Sequence, residues 1–109
     1  MLYNNMRDDQ TRVTVAQWEK LKTIIPPEST EMKLTPKFGY VVDKFREMYG
    51  IYISTTPVSD DDIIVYRFRS QVYKISGNNV IDTWTGTNQA FYIGMRYAIS
   101  QAIEMVNKQ

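Results

Sequence analysis

The sequence predicts an α+β fold, a three-stranded antiparallel sheet covered on one face by two helices (α-β-β-β-α), with an extra helix ahead of it. Three observations carry this. Apolar residues recur at helical spacing over residues 38–49 and again over 89–106. Between those stretches the period falls to two. The alternating region is itself cut by turn-forming clusters at 57–62 and 77–79. Residues 1–12 read as a flexible tail. Residues 13–109 read as a single domain, with an N-terminal helix (13–25), a connector (26–34) and the α-β-β-β-α core (35–109).

The first helix is signed at its start. Thr14 and Gln17 form a capping box, and Val13 with Trp18 occupies the positions of a hydrophobic staple. The helix is expected over 15–25, burying Val15, Trp18, Leu21 and Ile24 or Ile25, until Pro26-Pro27 ends it. In the second helix Thr35 is the expected N-cap and Pro36 the first helical residue. Phe38, Val41, Val42, Phe45 and Met48 or Tyr49 line one face, and Gly50 fits the left-handed position that closes the helix.

A short strand is expected over 51–54, then a turn over 57–62. A second strand starts at Ile63, with Ile64, Tyr66 and Phe68 on one face and Arg67 and Arg69 on the other. The alternation slips at Ser70-Gln71, which predicts a bulge or bend there. Gly77-Asn78-Asn79 makes a tight turn. The third strand is expected over 80–85, with Val80, Asp82 and Trp84 sharing a face and Thr85-Gly86 breaking it. Thr87 or Asn88 then caps the closing helix. At about 100° per residue, Phe91, Met95, Ala98, Ala102, Met105 and Val106 fall in one arc, opposite Gln89, Arg96, Ser100 and Glu104. Gly94, Ala98 and Ala102 form a ladder of small residues that lets this helix lie close on the sheet.

Composition narrows the chemistry. There is no histidine and no cysteine, which removes the usual imidazole base, thiolate nucleophiles, disulfides and the commonest transition-metal ligands. The five glycines are isolated, so no phosphate cradle is written in the sequence. Asp60, Asp61 and Asp62 are adjacent and point in different directions, which reads as a solvated turn rather than a cation site. The expectation is a protein without catalytic residues, cofactor, metal or small-molecule substrate. With 13 basic and 12 acidic residues the formal charge is +1, which disfavours a purely electrostatic nucleic-acid binder. No apolar run reaches membrane-spanning length and no signal-peptide pattern opens the chain, so a cytoplasmic protein is expected, with no membrane partner.

Two contact surfaces are legible. The closing helix is apolar most of the way round, with Tyr92, Ile93, Tyr97 and Ile103 outside its main arc. Together with Trp18 and Leu21 of the first helix these residues are the candidate protein interface. The first helix then covers the last in cis or swaps into a second copy, giving a homo-oligomer. The alternative surface is a basic stripe of Arg67, Arg69 and Lys74 near Tyr73, a pattern that suits single-stranded nucleic acid.

The α-β-β-β-α order of residues 35–106 resembles, in topology, the double-stranded-RNA-binding domain. That resemblance implies RNA contacts from the start of the last helix and from the loop between the first two strands. Here the helix begins Thr87-Asn88-Gln89-Ala90 without a lysine, and the loop at 57–62 carries three acids. The run from Gly50-Ile51-Tyr52-Ile53 to a helix over 92–103 is also similar to small uncharacterised phage and prophage proteins. That similarity implies an accessory protein of a mobile element and assigns no residue a role.

Overall fold

The computed structural model describes residues 6–60 and 63–108. A short 3₁₀ turn (Asp8–Thr11) precedes α1 (Val15–Leu21), α2 (Phe38–Tyr49), β1 (Ile51–Asp60), β2 (Ile63–Ser76), β3 (Asn79–Asn88) and α3 (Phe91–Asn107). The sheet is antiparallel with strand order β1-β2-β3, so β2 is central and β1 and β3 are edges. The α+β fold expected from the sequence is the one observed.

Each helix starts and stops for local reasons. Thr14 Oγ1 accepts the Gln17 N–H at 3.1 Å, and Gln17 Oε1 accepts the Thr14 N–H at 3.2 Å, so the capping box is present. Yet α1 stops at Leu21, and 22–25 continue as turns, with the Ile24 and Ile25 N–H groups both donating to Leu21 O. Val15, expected inside, is 69% exposed, while Val13 and Gln17 are buried in its place. The shift follows from a backbone stitch. Val13 N–H donates to Pro36 O at 3.1 Å, and Thr35 Oγ1 donates to Val13 O at 2.6 Å. Thr35 is spent on that stitch, so α2 is capped by the extended backbone of Lys37, without a side-chain bond. Residues 8–12, expected loose, are ordered by the same neighbourhood. Arg12 bridges to Lys37, and its guanidinium donates to Thr35 O at 2.7 Å.

The strands are longer than their composition announced. β1 runs through Pro57 to Asp60, because an edge strand tolerates a residue with no N–H on its free side. β3 runs through Gly86 to Asn88, because the Trp84 ring lies over that glycine. A Cβ on Gly86 would stand 2.6 Å from the indole. The expected bulge at Ser70-Gln71 is absent. Phe68, Ser70, Val72 and Lys74 alternate without a break onto the covered face, and all four are buried. The irregularity lies instead between Lys74 and Ile75, which pair with Asp82 and Val80, leaving Ile81 as the extra residue. Cross-strand partners share a face, so Val80 joins Ile75 on the open side, away from Trp84.

The covered face meets α3 and α2. Val41, Phe45, Ile51, Val72, Ala98, Ile99 and Ala102 are fully excluded from solvent. Phe91, at the start of α3, meets Phe38 and Phe68 edge-on, with centroids 6.4 and 6.0 Å away. Gly94 lies deepest. A Cβ there would be 2.8 Å from Ser70 Oγ and 3.4 Å from Thr55 Cγ2. Ser70 Oγ and Thr55 Oγ1 hydrogen-bond each other at 2.9 Å, so the only hydroxyl pair under α3 is internally satisfied among the described residues. The cap of α3 differs from expectation. Ala90 occupies it with no side-chain bond, because Thr87 and Asn88 still belong to β3.

Gly50 ends α2 with φ 64° and ψ 28°, and a Cβ there would sit 2.9 Å from Ile75 O. Gly39, near the start of the same helix, has no atom within 4 Å of that position. Gly50→Ala should therefore lower stability by about 1–3 kcal/mol. Gly39→Ala should leave stability unchanged or raise it by up to ~1 kcal/mol. Urea midpoints at constant m-value compare the two.

Candidate contact surfaces

The six residues expected at a protein interface do not form one surface. Leu21 is fully buried and Ile103 is 4% exposed, so both belong to the core and neither is open to a partner. Trp18 and Tyr92 are half-buried against that core. Ile93 and Tyr97 reach the surface, at 37% and 57% exposure. Together with Thr14, Gln17, Arg96 and Ser100 they line a shallow groove of about 260 Å³ between α1 and α3. A second depression of about 460 Å³ opens further along, between Lys20 and Glu104.

What holds this seam together was not anticipated. Buried Gln17 donates from Nε2 to Arg96 O at 2.6 Å and to Ser100 Oγ at 2.9 Å. The Arg96 guanidinium donates to Asp9 O at 2.7 Å and to Arg12 O at 3.2 and 3.3 Å, and it lies over the Tyr92 ring at 5.2 Å. Arg96 and Ser100 thus leave the solvent side of α3 and fasten the leading segment in cis. Helical spacing sorts residues by polarity and carries no signal that a backbone carbonyl will arrive opposite an arginine.

The open face of the sheet is the second surface. Tyr52 pairs with Tyr73, Ser54 with Gln71, Thr56 with Arg69 and Val58 with Arg67. On the other side Tyr73, Gln71 and Arg69 pair with Thr83, Thr85 and Thr87. Tyr52, Thr56, Arg67, Arg69, Thr83, Thr85 and Thr87 are exposed, and Ser54, Val58, Gln71 and Tyr73 are partly exposed. Arg67 and Arg69 make no ion pair with any described residue. Lys74 does not belong to this stripe. It is 8% exposed on the covered face, in a row with Ile51 and Asp82, because the alternation never slips at Ser70. The expected basic triad is therefore a pair.

The third surface is the free edge of β3. Only β2 pairs with it among the described strands. Val80 and Ile81 are 54% and 56% exposed along it, and Asp82 is its one charged residue. The opposite edge, β1, carries Pro57 and leads into the acidic hairpin. Asp61 and Asp62 lie outside the described residues, so the expected turn at 57–62 is seen only as strand up to Asp60.

Among the described residues no cluster of metal-ligating side chains occurs, and no helix is long and apolar enough to cross a membrane. The chain matches no known family model, and no curated protein or solved structure is significantly similar to it.

One titration reports on the N-terminal stitch. The Arg12 side chain, hydrogen-bonded to Asp8 at 2.9 Å, holds the Asp8 carboxyl below its usual range; slight desolvation opposes this, and the charges of Arg12 and Lys37 add to it. A carboxyl depressed in the folded state stabilises above its unfolded pKa of about 3.9, and that contribution is lost as pH falls through the folded value. Asp8→Asn should therefore melt below the parent protein at pH 6, with the difference shrinking toward zero below about pH 4. Paired thermal melts across that range read it directly.

Proposed function

We propose that this protein is a non-enzymatic interaction module that associates with a second copy of itself through the edge of β3. The observation that supports this best is the asymmetry between the two sheet edges. An unpaired edge exposes a row of backbone N–H and C=O groups, and folded proteins blunt such edges with proline, lysine, bulges or inward charge. β1 carries Pro57 and the approach to three acids. β3, ten residues long, has neither proline nor lysine, and its bulge near Ile81 and its inward-facing Asp82 both lie at one end. From Thr83 onward it is regular, with Thr83, Thr85 and Thr87 on the open side.

Antiparallel pairing of two such edges would make a six-stranded sheet with an isologous interface. Threonines facing one another across it form favourable cross-strand pairs. A single acid per strand leaves little like-charge repulsion to oppose it. The absence of histidine and cysteine, and shallow grooves in which no acid–base pair or activated nucleophile is set, support a binding role over a catalytic one. Self-association was expected from the closing helix; the reading now rests on the sheet, because most of that helix's apolar perimeter is buried in the core and only Ile93 and Tyr97 reach the surface.

In light scattering and sedimentation the protein should behave as a dimer at micromolar concentration. Thr83→Lys/Thr85→Lys, which blunts the edge at exposed positions, should give a monomer with an unchanged circular-dichroism spectrum. A strict monomer across the micromolar range overturns the proposal.

A further inference from the structure

We infer that the open face of the sheet binds single-stranded nucleic acid, with bases stacked on Tyr52 and Tyr73 and phosphates met by Arg67 and Arg69. The inference goes beyond edge pairing and does not depend on it, since one protomer carries the whole face.

Three observations support it. The first is charge. On the open side of the central strand from Arg67 to Ile75, and of the residues paired with it, the charged residues are Arg67 and Arg69 alone, and neither is ion-paired with a described carboxylate. A chain of net charge +1 therefore presents a locally cationic face. The second is the aromatic pair. Tyr52 and Tyr73 are direct cross-strand partners on the open face, Tyr52 44% exposed and Tyr73 partly exposed, so two aromatic side chains occupy neighbouring positions there. Every base has a π-face, and such a pair accepts bases with little regard to sequence.

The third is spacing. Arg69 and Tyr73 lie on one strand four residues apart, about 13 Å at ~3.3 Å per residue. Between them stand Gln71 and its neighbours Ser54 and Thr85, small or amide side chains that leave the surface low and supply hydrogen-bonding groups. A strand of nucleic acid laid from Arg69 toward Tyr73 also runs away from the acidic hairpin that follows β1. A duplex has its bases stacked inside, where Tyr52 and Tyr73 cannot reach them, so single strands should be preferred.

Fluorescence anisotropy with labelled oligothymidylate, oligouridylate and a matched DNA duplex tests this on the full chain. Both single strands should bind, and the duplex should bind more weakly. With two phosphate contacts the salt slope should be about −1.4, a roughly sevenfold loss between 50 and 200 mM salt. Arg67→Gln/Arg69→Gln should flatten that slope. Tyr52→Ala should weaken binding by about tenfold at every salt concentration. Tyr73→Leu, which keeps an apolar side chain on the central strand, should do the same and guards against loss of folding. No binding at micromolar protein, duplex binding tighter than single-strand binding, or full affinity in both tyrosine variants each overturns the inference. So does a face that only self-associates, shown by monomerisation of Tyr52→Ala without oligonucleotide binding.

Discussion

The approach of α3 to the sheet at Gly94 sets the geometry of the molecule. A side chain there would collide with Ser70 Oγ, the residue at the middle of the central strand. With Gly94, Ala98 and Ala102 all buried, the helix axis lies low across the strands, and one helix contacts β1, β2 and β3 together. Close packing of this kind makes the interior sensitive to single atoms. It also explains why a small polar residue, Ser70, occupies a core position. Its hydroxyl is satisfied by Thr55, and anything larger would lift the helix.

A second constraint follows from the first. Because α3 spends its small residues on the sheet, its other sides remain to be covered, and the short N-terminal elements do this with polar bonds as well as apolar ones. Gln17 reaches the backbone and hydroxyl of α3, while Arg96 reaches back to the carbonyls of Asp9 and Arg12. Alpha helices as short as α1 are marginal alone. Its position comes from this clasp and from the stitch of Val13 to Pro36, more than from its own seven residues. With the helices committed to one face of the sheet, the other face and the β3 edge are left as the surfaces on which a binding role can be built.

Much of this architecture was legible in the residues. The stripe Phe38, Val41, Phe45 and the left-handed Gly50 define α2, and the Thr14–Gln17 box fixes the start of α1. The small ladder of α3 foretells close packing. Boundaries were less legible where tertiary contacts outweigh local preference. Pro57 and Gly86 read as strand breakers, yet an edge position excuses the first and the Trp84 ring covers the second. The phase of β2 was misread at Ser70 because a serine on a covered face is explained only by the glycine above it. That error carried Lys74 onto the wrong side. Leu21 and Ile103 were read as interface because helical spacing shows which residues are apolar and not what covers them. Arg96 and the amide nitrogen of Gln17 carried no sequence signal of their roles in the clasp, since their partners, backbone carbonyls and the Ser100 hydroxyl, are distant in the chain.

The central claim, that Gly94 and Ser70 are fitted to each other, is tested most directly by a double-mutant cycle in urea. Gly94→Ala should destabilise by about 1–3 kcal/mol through overpacking, although alanine is the better helix former by up to ~1 kcal/mol. Ser70→Ala alone should cost about 1 kcal/mol for the lost hydroxyl pair. In the double variant the crowded oxygen is gone, so the combined loss should fall short of the sum by roughly 1 kcal/mol or more. Additive losses, or a Gly94→Ala protein more stable than its parent, would contradict the close approach on which this account of the fold stands.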